Sequence, residues 1–310
     1  SLSLTLEAFY TDTKVTFDDH LTEDIFLLNG KEQSEKEVAK ISRFLDLFCE
    51  YIGERPFARV ESINFVPTAA GLASSASAFA ALSLAVADAL KLDMTRQELS
   101  TFARRGSGSS TRSLFGGFVE WEMGTSSEDS MAHPVDNADW DVGMLVLVVD
   151  SQEKKIASRI GMEHTVQTSP FYPAWIESAR EDLQAMKAAI AEKDFETLGR
   201  ITEHNGFKMH ATTLSANPPF TYWSADSLLA QEAVRQVREE LQVPAYMTMD
   251  AGPNVKVLCR ASDMGLLKKA LSANFPVEKI ISSLPGPAAY VLSEADWQQS
   301  KTRLTEGNLL

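Results

Sequence analysis

Three clusters of small, polar and charged residues could do chemistry. The first, Pro67-Thr68-Ala69-Ala70-Gly71-Leu72-Ala73-Ser74-Ser75-Ala76-Ser77, runs from a strand pattern into an apolar helix pattern. Small side chains let backbone N–H groups approach a ligand closely, and a helix start adds unpaired donors and a positive dipole end. Ser74, Ser75 and Ser77 add hydroxyls suited to phosphate or to a Mg²⁺ ion. Alone, the stretch reads equally well as an anion cradle or as a small-residue helix start built for close packing. It has no Gly-Lys-Ser/Thr of a Walker loop, and the chain has no Gly-x-Ser-x-Gly elbow. The second cluster, Gly106 to Gly117, sets Arg112 among Gly, Ser and Thr. The third, Met249-Asp250-Ala251-Gly252-Pro253-Asn254, puts a carboxylate at the mouth of a turn. Taken alone, Asp250 reads more readily as a turn former than as a base.

The elements that must position these clusters follow from periodicity. Leu2, Leu4 and Leu6 alternate with polar residues, as do Lys14 to Phe17, and a further short strand, Asp24 to Leu28, ends at the turn signal Asn29-Gly30. Helical spacing covers 34–52, a strand covers Ala58 to Val66, and 75–90 is apolar nearly all round, as in a buried helix. Thr95 followed by Glu98 opens a helix to Arg105. Gly116 to Trp121 and Trp140 to Val149 read as strands, with 124–139 a polar, mobile surface loop between them. Helices follow at 173–192, 195–210, 225–241 and 261–273, strands at 245–249 and 255–259, and two short strands close the chain. The irregular mixture predicts an α+β fold of two lobes, residues 1–152 and 153–310, rather than a doubly wound sheet.

Composition narrows the partners. A net charge of −14 on 310 residues, with pI near 4.9, repels nucleic acid and anionic lipid. A polyanionic ligand would need a locally positive pocket, which gives weight to Arg and Lys residues beside Gly-rich segments. Cys49 and Cys259 form no cluster and read as free thiols. No histidine pair has i, i+4 metal spacing. No secretory signal opens the chain, and the small-apolar stretch 76–90 falls short of the ~20 residues a membrane span needs, so a cytoplasmic protein is expected.

The three clusters together, in this order and behind Ser1-Leu2-Ser3-Leu4-Thr5, resemble the mevalonate diphosphate decarboxylases of the GHMP kinase superfamily over nearly the whole chain. The resemblance implies a GHMP-kinase-like two-lobed fold, with mixed and antiparallel sheets packed against helices. It also implies ATP and Mg²⁺ as cofactors and mevalonate 5-diphosphate as substrate. The implied reaction phosphorylates the 3-hydroxyl, then releases phosphate and CO₂ to give isopentenyl diphosphate. A homodimer is implied as well.

Carried over residue by residue, the resemblance makes Asp250 and Arg112 catalytic, with Arg112 also holding the substrate carboxylate. Ser107 and Ser109 line that pocket, and Gly106 and Gly108 free the backbone to approach the anion. Ser158 and Arg159 face the diphosphate. Gly71, Leu72, Ala73, Ser74, Ser75 and Ser77 take the nucleotide phosphates, with Ser75 also the metal contact. His210 is expected to be packing and Lys208 an anion contact. Two departures stand out. The chain opens inside the family's Asn-Ser-Ser-Leu-Ser-Leu-Thr string, so the Asn and Lys contacts ahead of it have no counterpart here, and Thr111 replaces a residue that is often Cys. The other readings are a GHMP kinase, such as a mevalonate 3-kinase, that does not decarboxylate, and a non-catalytic metabolite-binding module.

Overall fold

A computed structural model describes residues 1–66, 74–149 and 156–307. In chain order it begins with strands β1 (Leu2–Leu4), β2 (Tyr10–Phe17), β3 (Ile25–Leu28) and β4 (Lys31–Glu32). Helix α1 (Glu35–Leu45) passes through a 3₁₀ turn into α2 (Cys49–Ile52), followed by β5 (Ala58–Phe65), α3 (Ser74–Ala89) and α4 (Arg96–Gly106). A 3₁₀ segment (Gly108–Leu114), β6 (Phe118–Trp121), β7 (Ala132–Asp136) and β8 (Gly143–Leu147) come next. Then follow α5 (Ser158–Thr168), α6 (Tyr172–Ala191), α7 (Phe195–Leu214) and α8 (Ala225–Leu241). Strands β9 (Ala245–Thr248) and β10 (Val255–Cys259), helix α9 (Met264–Leu271), strand β11 (Ile280–Ser283) and helix α10 (Glu294–Thr305) finish the chain.

The described residues form two compact units, and neither follows a single cut at 152/153. The first holds residues 1–66, 74–135 and 286–307; the second holds 136–149 and 156–285. Hydrogen bonding explains the boundary. Strand β8 pairs antiparallel with both β10 and β11, which ties it to the later residues. Gly286, in turn, donates to Thr5 O at 2.7 Å and accepts from Gly117 N at 3.1 Å, which returns the chain to the first unit.

In the first unit a four-stranded sheet runs β2-β5-β3-β4, with β3 parallel to β5 and the other pairs antiparallel. The β3–β4 hairpin turns at Asn29 and Gly30, both at positive φ (51° and 73°), as a two-residue turn of matching twist requires. A core of Phe44, Leu45, Phe48, Phe79, Leu99 and Phe102 joins α1, α3 and α4. Thr95 and Glu98 close the expected capping box. In the second unit the sheet order is β11-β8-β10-β9, wholly antiparallel. One face carries Val255, Val257, Cys259, Leu145 and Met247 into a core with α8 and α9.

Three expectations need correction. Residues 124–139 contain strand β7, whose edge position in the order β1-β6-β7 tolerates Pro134 and breaks the alternation a central strand would show. The turn before β7 is not featureless either, since Asp129 accepts from the backbone N–H of Thr125 and Ser126. The chain ends in α10 rather than a second strand, capped by Ser293 and Asp296. Helix α5 had no counterpart in the periodicity, because its exposed Ile160, Met162 and Val166 give it no clean apolar stripe.

Candidate active site

In the first unit, the start of α3 and the 3₁₀ segment come together. Ser75, in the first turn of α3, is exposed, and its Oγ lies 3.1 Å from Ser107 Oγ. Ser107 Oγ lies 3.4 Å from Ser109 Oγ, which continues a row of three hydroxyls. Helix α3 has sixteen residues and no acidic residue in its first turn, so its positive end is not neutralised locally. Ser77 behaves differently. Its hydroxyl shares a 2.7 Å hydrogen bond with Thr11 of β2, which itself donates to Asn64 Oδ1 of β5. It ties the helix start to the sheet. Gly71, Leu72 and Ala73 lie outside the described residues.

Arg112 is three residues beyond Ser109, and in a 3₁₀ helix residues i and i+3 share a face. Its Nε donates to Ser3 Oγ at 2.9 Å and its Nη1 to Ser1 Oγ at 2.6 Å, while the guanidinium stands 5.8 Å from the Trp121 ring. The side chain is therefore held from β1 and β6 as a preset planar fork. Thr111 is buried and donates to Gly108 O at 2.6 Å, so the threonine stabilises the segment from inside. Gly106 has a packing duty: a Cβ there would fall 2.1 Å from Phe79 Cδ1. The Trp121 ring lies 3.3 Å from the place of a Cβ on Gly108.

In the second unit, Asp250 follows β9 and opens the turn as expected. The turn is braced at three points. Gly252 N donates to Asp250 O at 2.7 Å, Ser227 Oγ donates to Pro253 O at 2.6 Å, and buried Asn254 accepts from Val149 N at 2.8 Å. The carboxylate faces outward, with its side chain 63% exposed, and Oδ2 accepts from Lys256 Nζ at 2.7 Å. Lys256 was missed in the sequence, although a lone charge in Val-Lys-Val-Leu-Cys was a visible signal.

Behind the turn, fully buried His210 of α7 lies 3.3 Å from Met249 O through Nε2. Burial pushes the imidazole down to about 4, so it is neutral at pH 7, with Nδ1 having no partner among the described residues. Ser158 and Arg159 open α5, with Arg159 exposed. Lys208 is not an open anion contact: its Nζ meets Asp182 at 2.5 Å and Ser178 at 2.7 Å, which clamps α7 to α6.

The hydroxyl row suits an anion, since it offers donors at a positive helix end without opposing charge. Among the described residues no three His, Cys, Asp or Glu cluster as a metal cage; at the start of α3 the serine hydroxyls are the side-chain oxygens that suit Mg²⁺. A mixed sheet with helices in one unit and a wholly antiparallel sheet with helices in the other define the class, the GHMP-kinase fold. Residues 1–132 match the diphosphomevalonate decarboxylase-like N-terminal domain, and residues 144–306 match the mevalonate 5-diphosphate decarboxylase C-terminal domain. The chain belongs to the mevalonate diphosphate decarboxylase family.

Similar proteins agree. The enzyme of that name from Enterococcus faecalis is 50% identical, with a TM-score of 0.87 over 93% of this chain and 88% of the other. A structure described as MDDEF in complex with MVAPP, AMPPCP and magnesium is 51% identical, with a TM-score of 0.88 over the same shares. The diphosphomevalonate decarboxylase of Saccharomyces cerevisiae is 40% identical over 73% of this chain, a match that spans only 57% of the yeast protein.

Proposed function

We propose that this chain carries out the ATP-dependent decarboxylation of mevalonate 5-diphosphate to isopentenyl diphosphate, with ATP and Mg²⁺ as cofactors. The observation that carries the reading is the Ser75–Ser107–Ser109 hydroxyl row beside Arg112, in a chain whose halves both match decarboxylase domains. Those matches do not favour a kinase that stops after phosphorylation.

MgATP, when bound, supplies the transferable phosphoryl group. Ser74 and Ser75, with the backbone of 71–73, hold nucleotide phosphates; Ser75 is the residue assigned to the metal, and Ser77 steadies the helix start. Asp250 takes the proton of the 3-hydroxyl as that oxygen bonds to phosphorus and the bond to ADP breaks. Ser107, Ser109 and Arg112 hold the carboxylate end, and Ser158 with Arg159 holds the diphosphate. In the second step the C3–O bond breaks and phosphate leaves with the electron pair. The electrons of the carbon–carboxylate bond then form the double bond, and CO₂ departs. Arg112 has to orient the carboxylate and still let it leave as a neutral molecule.

Incubation with MgATP and mevalonate 5-diphosphate tests the reading. Labelled CO₂ together with ADP supports it, ADP alone indicates a kinase, and neither product overturns it. An Asp250→Asn variant that keeps full ADP release would remove the role given to that residue. Among the described residues no helix is long and apolar enough to cross a membrane. A cytoplasmic homodimer is the rest of the proposal; the family resemblance supports the dimer, and a sedimentation mass of one chain would refute it.

A further inference from the structure

Every position of β10 is buried, yet its second residue is a lysine. The Lys256 side chain is only 11% exposed. An ammonium in that position loses much of its hydration, and only a well-made ion pair offsets the loss. A valine or isoleucine would fill the strand position without that penalty. The partner it finds is Asp250, six residues earlier across the turn, at 2.7 Å.

The surroundings fix this pair from two sides. Lys256 stands opposite Thr248 in the β9–β10 register and opposite Val146 in the β8–β10 register. Thr248 in turn faces Gly206 of α7, where a Cβ would come 3.1 Å from Thr248 Oγ1. One helical turn beyond Gly206, His210 reaches the carbonyl of Met249, the residue just before Asp250. The backbone entering Asp250 is thus held from α7, and its carboxylate is held from β10. We infer that Lys256 is a positioning residue for catalysis, fixing the orientation of the Asp250 carboxylate that meets the reacting hydroxyl. The inference rests on the proposed role of Asp250 as proton acceptor. Small misplacements of a reacting group cost up to about 100-fold in rate, so the direction in which the carboxylate points matters.

The test uses the full chain with MgATP and mevalonate 5-diphosphate, reading ADP release, CO₂ release and thermal melting for each variant. Lys256→Met removes the charge and keeps the stem; it is expected to lower kcat about 10- to 100-fold with KM changed less than about threefold. Lys256→Gln is the second variant should the first fail to fold, with the same expectation. Lys256→Arg is expected to recover part of the rate. Lys256→Ala leaves a gap beside an exposed carboxylate, so added methylammonium is expected to restore rate in a saturable way.

Unchanged kcat in Lys256→Met or Lys256→Gln would overturn the inference. So would a loss that neither Lys256→Arg nor the amine reverses, since that marks a purely structural lysine. Asp250→Asn is assayed in parallel. Full activity there would overturn the proton-acceptor role and the positioning role with it, whereas an inactive Asp250→Asn beside a fully active Lys256→Met sinks only the lysine.

Discussion

Ser75 Oγ and Ser107 Oγ lie 3.1 Å apart although 32 residues separate them. That contact joins the segment proposed for nucleotide phosphates to the segment proposed for the substrate, within one unit. Because the two hydroxyls are in hydrogen-bond contact, one proposed for the nucleotide phosphates and the other for the substrate carboxylate, their effects are coupled. Ser75→Ala and Ser107→Ala should each lower kcat/KM for ATP, and the double variant should fall short of the product of the two losses by about 0.5–1.5 kcal/mol. Additivity within about 0.3 kcal/mol would separate the two residues functionally.

Arg112 is held in place by two serines and a tryptophan ring, so its planar fork matters as well as its charge. Arg112→Lys keeps the charge and loses the bidentate geometry. Steady-state kinetics should show kcat reduced by at least about tenfold together with a raised KM. A raised KM with unchanged kcat would confine the residue to ground-state binding.

Gly106 lets α3 and α4 approach with the Phe79 ring between them. Gly106→Ala forces a methyl into that ring and should destabilise the protein by about 1–3 kcal/mol in urea unfolding. Phe79→Leu opens the space, so the Gly106→Ala penalty should be much smaller in that background. An equal penalty in both backgrounds would assign it to something other than the ring.

The sequence made the three chemical clusters and most of the secondary structure legible because they rest on local rules. Thr95 and Glu98 cap a helix wherever they occur in that spacing, and Asn29-Gly30 turns a hairpin by its own dihedral preferences. What remained hidden depends on partners distant in the chain. Gly106 looked like an anion-binding glycine until Phe79 was placed against it, and Ser77 looked like its neighbours until Thr11 took its hydroxyl. Lys208 looked available until Asp182 and Ser178 of the next helix claimed it. Strand β7 and helix α5 were lost because an edge strand and a helix with exposed apolar residues do not repeat cleanly.

His210 gives a pH prediction. Its folded value, near 4, lies below the ordinary value of about 6.5, so between those limits the unfolded chain takes up a proton that the folded chain refuses. Stability is therefore retained above about pH 6.5 and declines as pH falls through that window, by at most about 3 kcal/mol from this group. His210→Gln keeps a donor for Met249 O and cannot titrate. Urea midpoints measured from pH 7 to pH 4 should fall less steeply in the variant; parallel slopes would rule the histidine out.

The return of the chain at Gly286 sets a timetable for biosynthesis. Residues 286–307 supply Trp297 against Ile63 and Phe65, and Ser300 against Asp12 at 2.6 Å, so the β2–β5 layer acquires these packing partners last. The described residues of the second unit all lie earlier in the chain, between 136 and 285. On a ribosome working from the N-terminus, the second unit has all its described parts before the first does, and the lobe that is translated first is completed last.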